Sequence, residues 1–114
     1  MPVLNIILNP IDGIGPLDTR YFYPSILCAD YTTMKVRASS YHCCTPRNNV
    51  GPYTEVEVSE ITIKRGRAVL PKSWKQYSNH PTAYPQDARY YYVPIALVRE
   101  FIAKHGGEFA DANK

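Results

Sequence analysis

The longest alternating run lies at 53–64, where "YTEVEVSEITIK" sets Thr54, Val56 and Val58 on one face and Glu55 and Glu57 on the other. A period of two predicts a half-buried β-strand with its acids toward solvent. The apolar phase then slips by one residue to Ile61 and Ile63, the signature of a β-bulge near Ser59-Glu60. "TTMKVRASSYHC" (32–43) alternates as well, with Met34, Val36 and Ala38 opposed to Lys35, Arg37 and Ser39. "VLNIILN" (3–9) is aliphatic and β-branched and stops at Asn9-Pro10, which predicts a strand. Leu4, Ile6 and Leu8 would share one face and Val3 and Ile7 the other, so this strand is expected to be central. "YFYPSILCADY" (21–31) is predicted as an edge or bent strand, because Pro24 removes a ladder donor. "RYYYV" (89–93) is the last predicted strand.

The connections are rich in Gly, Pro and Asn. Residues 45–52, "TPRNNVGP", form a turn cluster in which Asn48, Asn49 or Gly51 takes positive φ. "KRGR" (64–67) predicts a hairpin turn at Gly66, returning through residues 68–70. Pro71 opens a short turn carrying Trp74 and Tyr77, and residues 78–88 read as an extended loop. Only "PIALVREFIAKHGG" (94–107) has helical periodicity: Pro94 suits the first position, and Ile95, Val98, Phe101 and Ile102 form an apolar stripe. Lys104 and His105 complement the dipole at its C-terminal end, where Gly106 suits the C′ position. The tail "EFADANK" is expected to be loose. Ten prolines argue against a helical bundle, and ten tyrosines favour pleated surfaces. With 114 residues there is room for one core, so 1–114 is expected to be a single α+β domain. Its architecture is expected to be a mostly antiparallel, Tyr-rich sheet with one C-terminal helix packed on it.

The net charge of +3 is too small to imply nucleic acid by itself. Three cysteines cannot all pair, no signal-like segment opens the chain, and no apolar run is long enough to span a bilayer. The expectation is a cytoplasmic protein with free thiols and no membrane association.

Candidate chemistry is sparse. Gly13 and Gly15 have the dinucleotide spacing, but Asp18 occupies the third glycine position and no Lys-Ser/Thr follows, so a phosphate loop is not expected. Cys28, Cys43, Cys44, His42, His80 and His105 lack the close spacing of a zinc knuckle, and neither a metal nor a cofactor is expected. If residues 41–44 are extended, Cys43 and Cys44 point to opposite faces, while His42 and Cys44 share one. A small enzyme or ligand pocket built around Tyr41, His42, Cys44 and Arg47 is therefore one alternative. A second is a nucleic-acid interface on the basic stretch Lys64, Arg65, Arg67, Lys72 and Lys75, interleaved with Trp74 and Tyr77. The leading expectation is a non-enzymatic protein that binds a macromolecular partner, foremost a protein, through Tyr90, Tyr91, Tyr92, Trp74 and Tyr77. Small cofactor-free domains without catalytic motifs are common among accessory proteins of phages and mobile elements, including inhibitors of host systems, and the chain has that profile.

Overall fold

The structure is a computed structural model that describes residues 3–8, 25–48, 50–63, 66–68, 71–78 and 88–109. Its centre is β3 (Glu55–Ile63), the predicted long strand. β3 pairs antiparallel with β2 (Thr33–Arg37), and β2 pairs antiparallel with the two-residue β1 (Ile26–Leu27). On its other side β3 pairs with β4 (Arg67–Ala68) near its end and with β5 (Arg89–Pro94) along its first half. The result is a five-stranded antiparallel sheet. α2 (Ile95–Lys104) follows β5 directly and buries Val98 and Ile102. The α+β class and the packed C-terminal helix are as expected.

The bulge predicted on β3 is present. Thr33 pairs with Thr62 and Lys35 with Ser59, so two steps along β2 match three along β3, and Glu60 takes a φ of 51°. A second bulge resolves the triple tyrosine. Val56 pairs with Val93 and Val58 with Tyr90, which leaves an extra residue in β5 where Tyr92 has φ 55°. Tyr90 therefore enters the core, Tyr91 is half-buried and Tyr92 is exposed. Strict alternation would have put two rings on one face; the bulge distributes them over three environments.

The inner sheet face carries Met34, Val36, Val56, Val58, Ile61, Tyr90 and Val93 into one core with Val98, Ile102, Leu4, Ile7 and Leu8. The last three belong to α1 (Val3–Leu8), a helix where a central strand was predicted. Leu4, Ile7 and Leu8 fall at i, i+3 and i+4, so the same apolar residues fit a helical stripe. A short apolar run does not distinguish the two periods, and a distant residue decides the outcome. The carboxylate of Glu108 accepts hydrogen bonds from the backbone N–H groups of Val3 (2.8 Å) and Leu4 (3.2 Å), the donors that open a helix.

Other departures have equally local causes. The tail is not loose at its start: Glu108 is buried and bridges to Cys28, and the Phe109 ring lies 5.7 Å from that of Tyr31. β2 ends at Arg37, and residues 39–44 form a turn closed by the Cys44 N–H on the His42 carbonyl, so the strand does not reach Cys43. Thr54, predicted inward, is exposed, and Glu57, predicted outward, is buried. Asn48 accepts hydrogen bonds from the Val50 and Gly51 N–H groups through its side chain, and Gly51 takes the positive φ (64°). Gly66 sits at φ 75° in the hairpin, and a 3₁₀ turn spans Lys72–Tyr77 as expected. Lys64 and Arg65 of the predicted turn, the glycine pair Gly13 and Gly15, residues 21–24 of the predicted strand 21–31, and the 79–87 loop with His80 lie outside the described residues. Among the described residues no helix is long and apolar enough to cross a membrane.

Candidate functional site

Two regions gather chemistry. The first is the outer face of the sheet, opposite the helices. The turn 39–44 folds over one end of this face and is pinned from several sides. The Ser39 hydroxyl bonds the His42 Nδ1 at 2.6 Å and accepts the Tyr41 N–H at 3.0 Å. The Cys44 thiol donates to the Ser39 and Pro46 carbonyls at 3.2 and 3.4 Å. The Cys43 N–H reaches the Glu57 carboxylate at 3.3 Å, and the Cys43 carbonyl accepts the N–H of Tyr92 at the β5 bulge. Glu57 also pairs with Arg89 at 3.6 Å. The turn carries exposed Tyr41 and is bonded at Cys43 to exposed Tyr92, and its His42 lies in the field of Arg89 and Arg47.

This geometry revises the thiol reading. Burial pushes the Cys44 thiol above its ordinary range, offset in part by the Ser39 hydrogen bond and Arg47. Its proton is engaged by backbone carbonyls, and His42 turns to Ser39 instead. Both groups thus help to hold the turn together, each bonded to Ser39. Burial also lowers the His42 pKa; Glu57 opposes this, while Arg37, Arg89 and Arg47 add to it, so His42 stays neutral near pH 7. Of the four residues of the predicted pocket, Tyr41 and Arg47 are exposed, His42 is half-buried and Cys44 is buried, and none lines the cleft described below.

The predicted aromatic surface also divides. Trp74 is 2% exposed, meets Tyr90 edge-on at 5.6 Å and lies 5.4 Å from Phe101. Trp74 and Tyr90 are core residues, and Tyr77 packs against the same cluster. Of the five rings predicted to bind a partner, Tyr92 is the one that is clearly exposed. Tyr41, 70% exposed, was assigned to the pocket because the chain pattern gives no sign that its turn points outward. The basic stretch loses its stacking residue with Trp74, although Lys72 and Lys75 are exposed. Lys64 and Arg65 lie outside the described residues, and Arg67 is described only as part of β4.

The second region was not foreseen. A cleft of about 510 Å³ opens between the 3₁₀ turn and α2, with Trp74, Leu97 and Phe101 as its apolar lining and Lys72, Lys104 and His105 among its polar groups. Behind it, His105 Nδ1 lies 2.6 Å from the Asp30 carboxylate and 3.1 Å from the Thr32 hydroxyl. The ring of Phe101 lies 4.4 Å from that of His105 and further fixes its place. Asp30 and His105 are 75 residues apart, and no local spacing could have announced the pair.

Slight desolvation opposes ionisation of Asp30, but hydrogen bonds from Thr32 and His105 hold its carboxyl at about 2, below the ordinary 3.8. A depressed acid contributes stability that is present above about pH 4 and is lost as pH falls toward 2. Asp30→Asn is therefore expected to flatten the pH dependence of the urea midpoint across that window. The effect is modest because the Asp30 side chain is half-exposed. Cys28, buried between β1 and the chain end, is pushed up to about 11 by burial and by the Asp30 and Glu108 carboxylates. Its thiol stays protonated. Among the described residues no group of three His, Cys, Asp or Glu side chains is placed to hold a metal ion.

Comparison with known proteins gave no match: no protein-family model, no curated protein and no solved structure is significantly similar to this chain.

Proposed function

We propose that this protein is a non-enzymatic binding protein that docks a protein partner on the outer sheet face, with Tyr41 as its anchor. The observation that carries the reading is Tyr41 itself, 70% exposed yet borne on a turn fixed by hydrogen bonds at Ser39, His42, Cys43 and Cys44. A large ring held out on a rigid backbone loses little entropy on binding. Tyr and Arg are the residue types that dominate binding hot spots, and Arg47, Arg89 and Tyr92 are likewise exposed, Tyr92 on the strand bonded to this turn.

The same face also carries Glu55, Glu57 and Glu60. Mixed charge with aromatic anchors suits a protein surface, whereas nucleic-acid interfaces are predominantly positive. The partner's complementary chemistry is a pocket for the Tyr41 ring, flanked by carboxylates that meet Arg47 and Arg89. Inhibition of a host protein, as by phage-encoded accessory proteins, would be one form of this binding, acting by occlusion of the partner's surface.

Tyr41→Ala is expected to weaken the complex by about 2 kcal/mol or more, roughly thirtyfold in Kd. Arg47→Glu is expected to slow association and reduce its salt dependence. Affinity capture from the native host with wild type, Tyr41→Ala and Arg47→Glu as baits, each with and without nuclease, checks both. A nuclease-resistant protein retained by wild type and lost from Tyr41→Ala supports the reading. Equal capture by all baits, or capture abolished by nuclease, overturns it.

A further inference from the structure

The cleft beside His105 lies on the helical side of the molecule, away from the sheet face, and its chemistry is different. We propose that it is a binding site for a small aromatic anion, one or two rings bearing a phosphate or carboxylate. Its volume of about 510 Å³ falls in the range of small-molecule sites. Phe101 and Leu97 are half-buried and supply an apolar bed, backed by Trp74. A planar ring fits such a bed by offset or edge contacts.

The charge of the ligand follows from the rim. Lys72 on the 3₁₀ turn and Lys104 on α2 approach the cleft from different elements. Among the described residues neither ammonium has a carboxylate within ion-pair distance. Glu100, one helical turn before Lys104, also lines the cleft but makes no ion pair with either lysine, so the two cations outnumber the one carboxylate there. Two unneutralised cations above an apolar bed attract an amphipathic anion more strongly than a neutral ring or a bare ion.

His105 adds direction. His105 lines the cleft, and both Asp30 and Thr32 engage its Nδ1, so Nε2 is its remaining polar atom. Among the described residues Nε2 has no hydrogen-bond partner. The site thus offers a cation pair for the anionic group and one ring nitrogen for a polar group on the ligand. Both partners of His105, Asp30 and Thr32, come from the β1–β2 connection, so the ring is held in place before a ligand arrives.

Trp74 is the only tryptophan of the chain, and its emission reports on the cleft directly. Wild type and a Lys72→Gln/Lys104→Gln variant are titrated with phenyl phosphate, inorganic phosphate and benzyl alcohol. Both lysines are exposed, so the fold is retained, and far-UV circular dichroism verifies it. The expected result is a saturable change with phenyl phosphate, weakened about tenfold or more in the variant. Inorganic phosphate and benzyl alcohol, each lacking half of the ligand's chemistry, are expected to bind at least as much more weakly to wild type. No saturation at tens of millimolar phenyl phosphate overturns the proposal. So does equal affinity in the variant, or inorganic phosphate binding as tightly as the phenyl ester.

Discussion

Trp74→Ala is expected to lower the unfolding free energy by about 3–5 kcal/mol, the cost of emptying a large aromatic site in a core. The ring is 2% exposed and contacts both Tyr90 on β5 and Phe101 on α2. It therefore joins the 3₁₀ turn to the sheet and to the helix, and its loss leaves a cavity that three separate elements would have to move to close. A domain of this size has roughly 5–15 kcal/mol of total stability, so the variant would be near the limit of folding. Trp74→Phe keeps the edge contact with Tyr90 and is expected to recover much of the loss. Urea denaturation followed by circular dichroism measures both. A cost below about 1 kcal/mol for the alanine variant, within the range of surface substitutions, would return Trp74 to the surface.

Gly106→Ala is expected to cost about 2–3 kcal/mol through backbone strain and a steric clash together. Gly106 follows the C-cap of α2 with φ 91°, a conformation in which a side chain is strained. A Cβ there would lie 2.9 Å from the Cβ of Ala29, in the β1–β2 connection that is hydrogen-bonded to the chain after α2. Gly107 supplies the control. Its φ of 83° is equally restrictive, but a Cβ would meet nothing within 4 Å, so Gly107→Ala carries only the strain, about 1 kcal/mol. The difference between the two variants, read from their denaturation midpoints, isolates the contact with Ala29. Equal losses would mean that the α2 end does not press on that connection.

The sheet was legible where pattern and local chemistry agreed. Val56, Val58 and Ile61 announced β3 and its bulge, because the apolar phase itself shifts where Glu60 leaves the ladder. Pro94 and Gly106 bracket α2 to within one residue, since each suits one end of a helix. The N-terminal segment was not legible. A short aliphatic run fits either period, and the carboxylate that caps the helix start, Glu108, is more than a hundred positions away.

The site was less legible than the fold, and for related reasons. Ten tyrosines invite the idea of a binding surface, but composition does not say which rings the core takes. The β5 bulge gives Tyr90 to the core and Tyr92 to solvent, and a turn closed by Ser39 and Cys44 delivers Tyr41 outward. Glu57 was read as a solvent-facing acid because β3 alternates, yet the 39–44 turn covers it. The Asp30–His105 pair depends on the end of α2 lying beside the β1–β2 connection, a tertiary event without a local signature.

Site-specific photo-crosslinking tests the binding surface most directly. A photoreactive residue is placed at position 41 in one variant and at the exposed position 75 in another, and both are irradiated in host extract. The account predicts a discrete, nuclease-resistant protein adduct from position 41 and none from position 75. Adducts from position 75 alone, or nucleic-acid adducts from position 41, would contradict it.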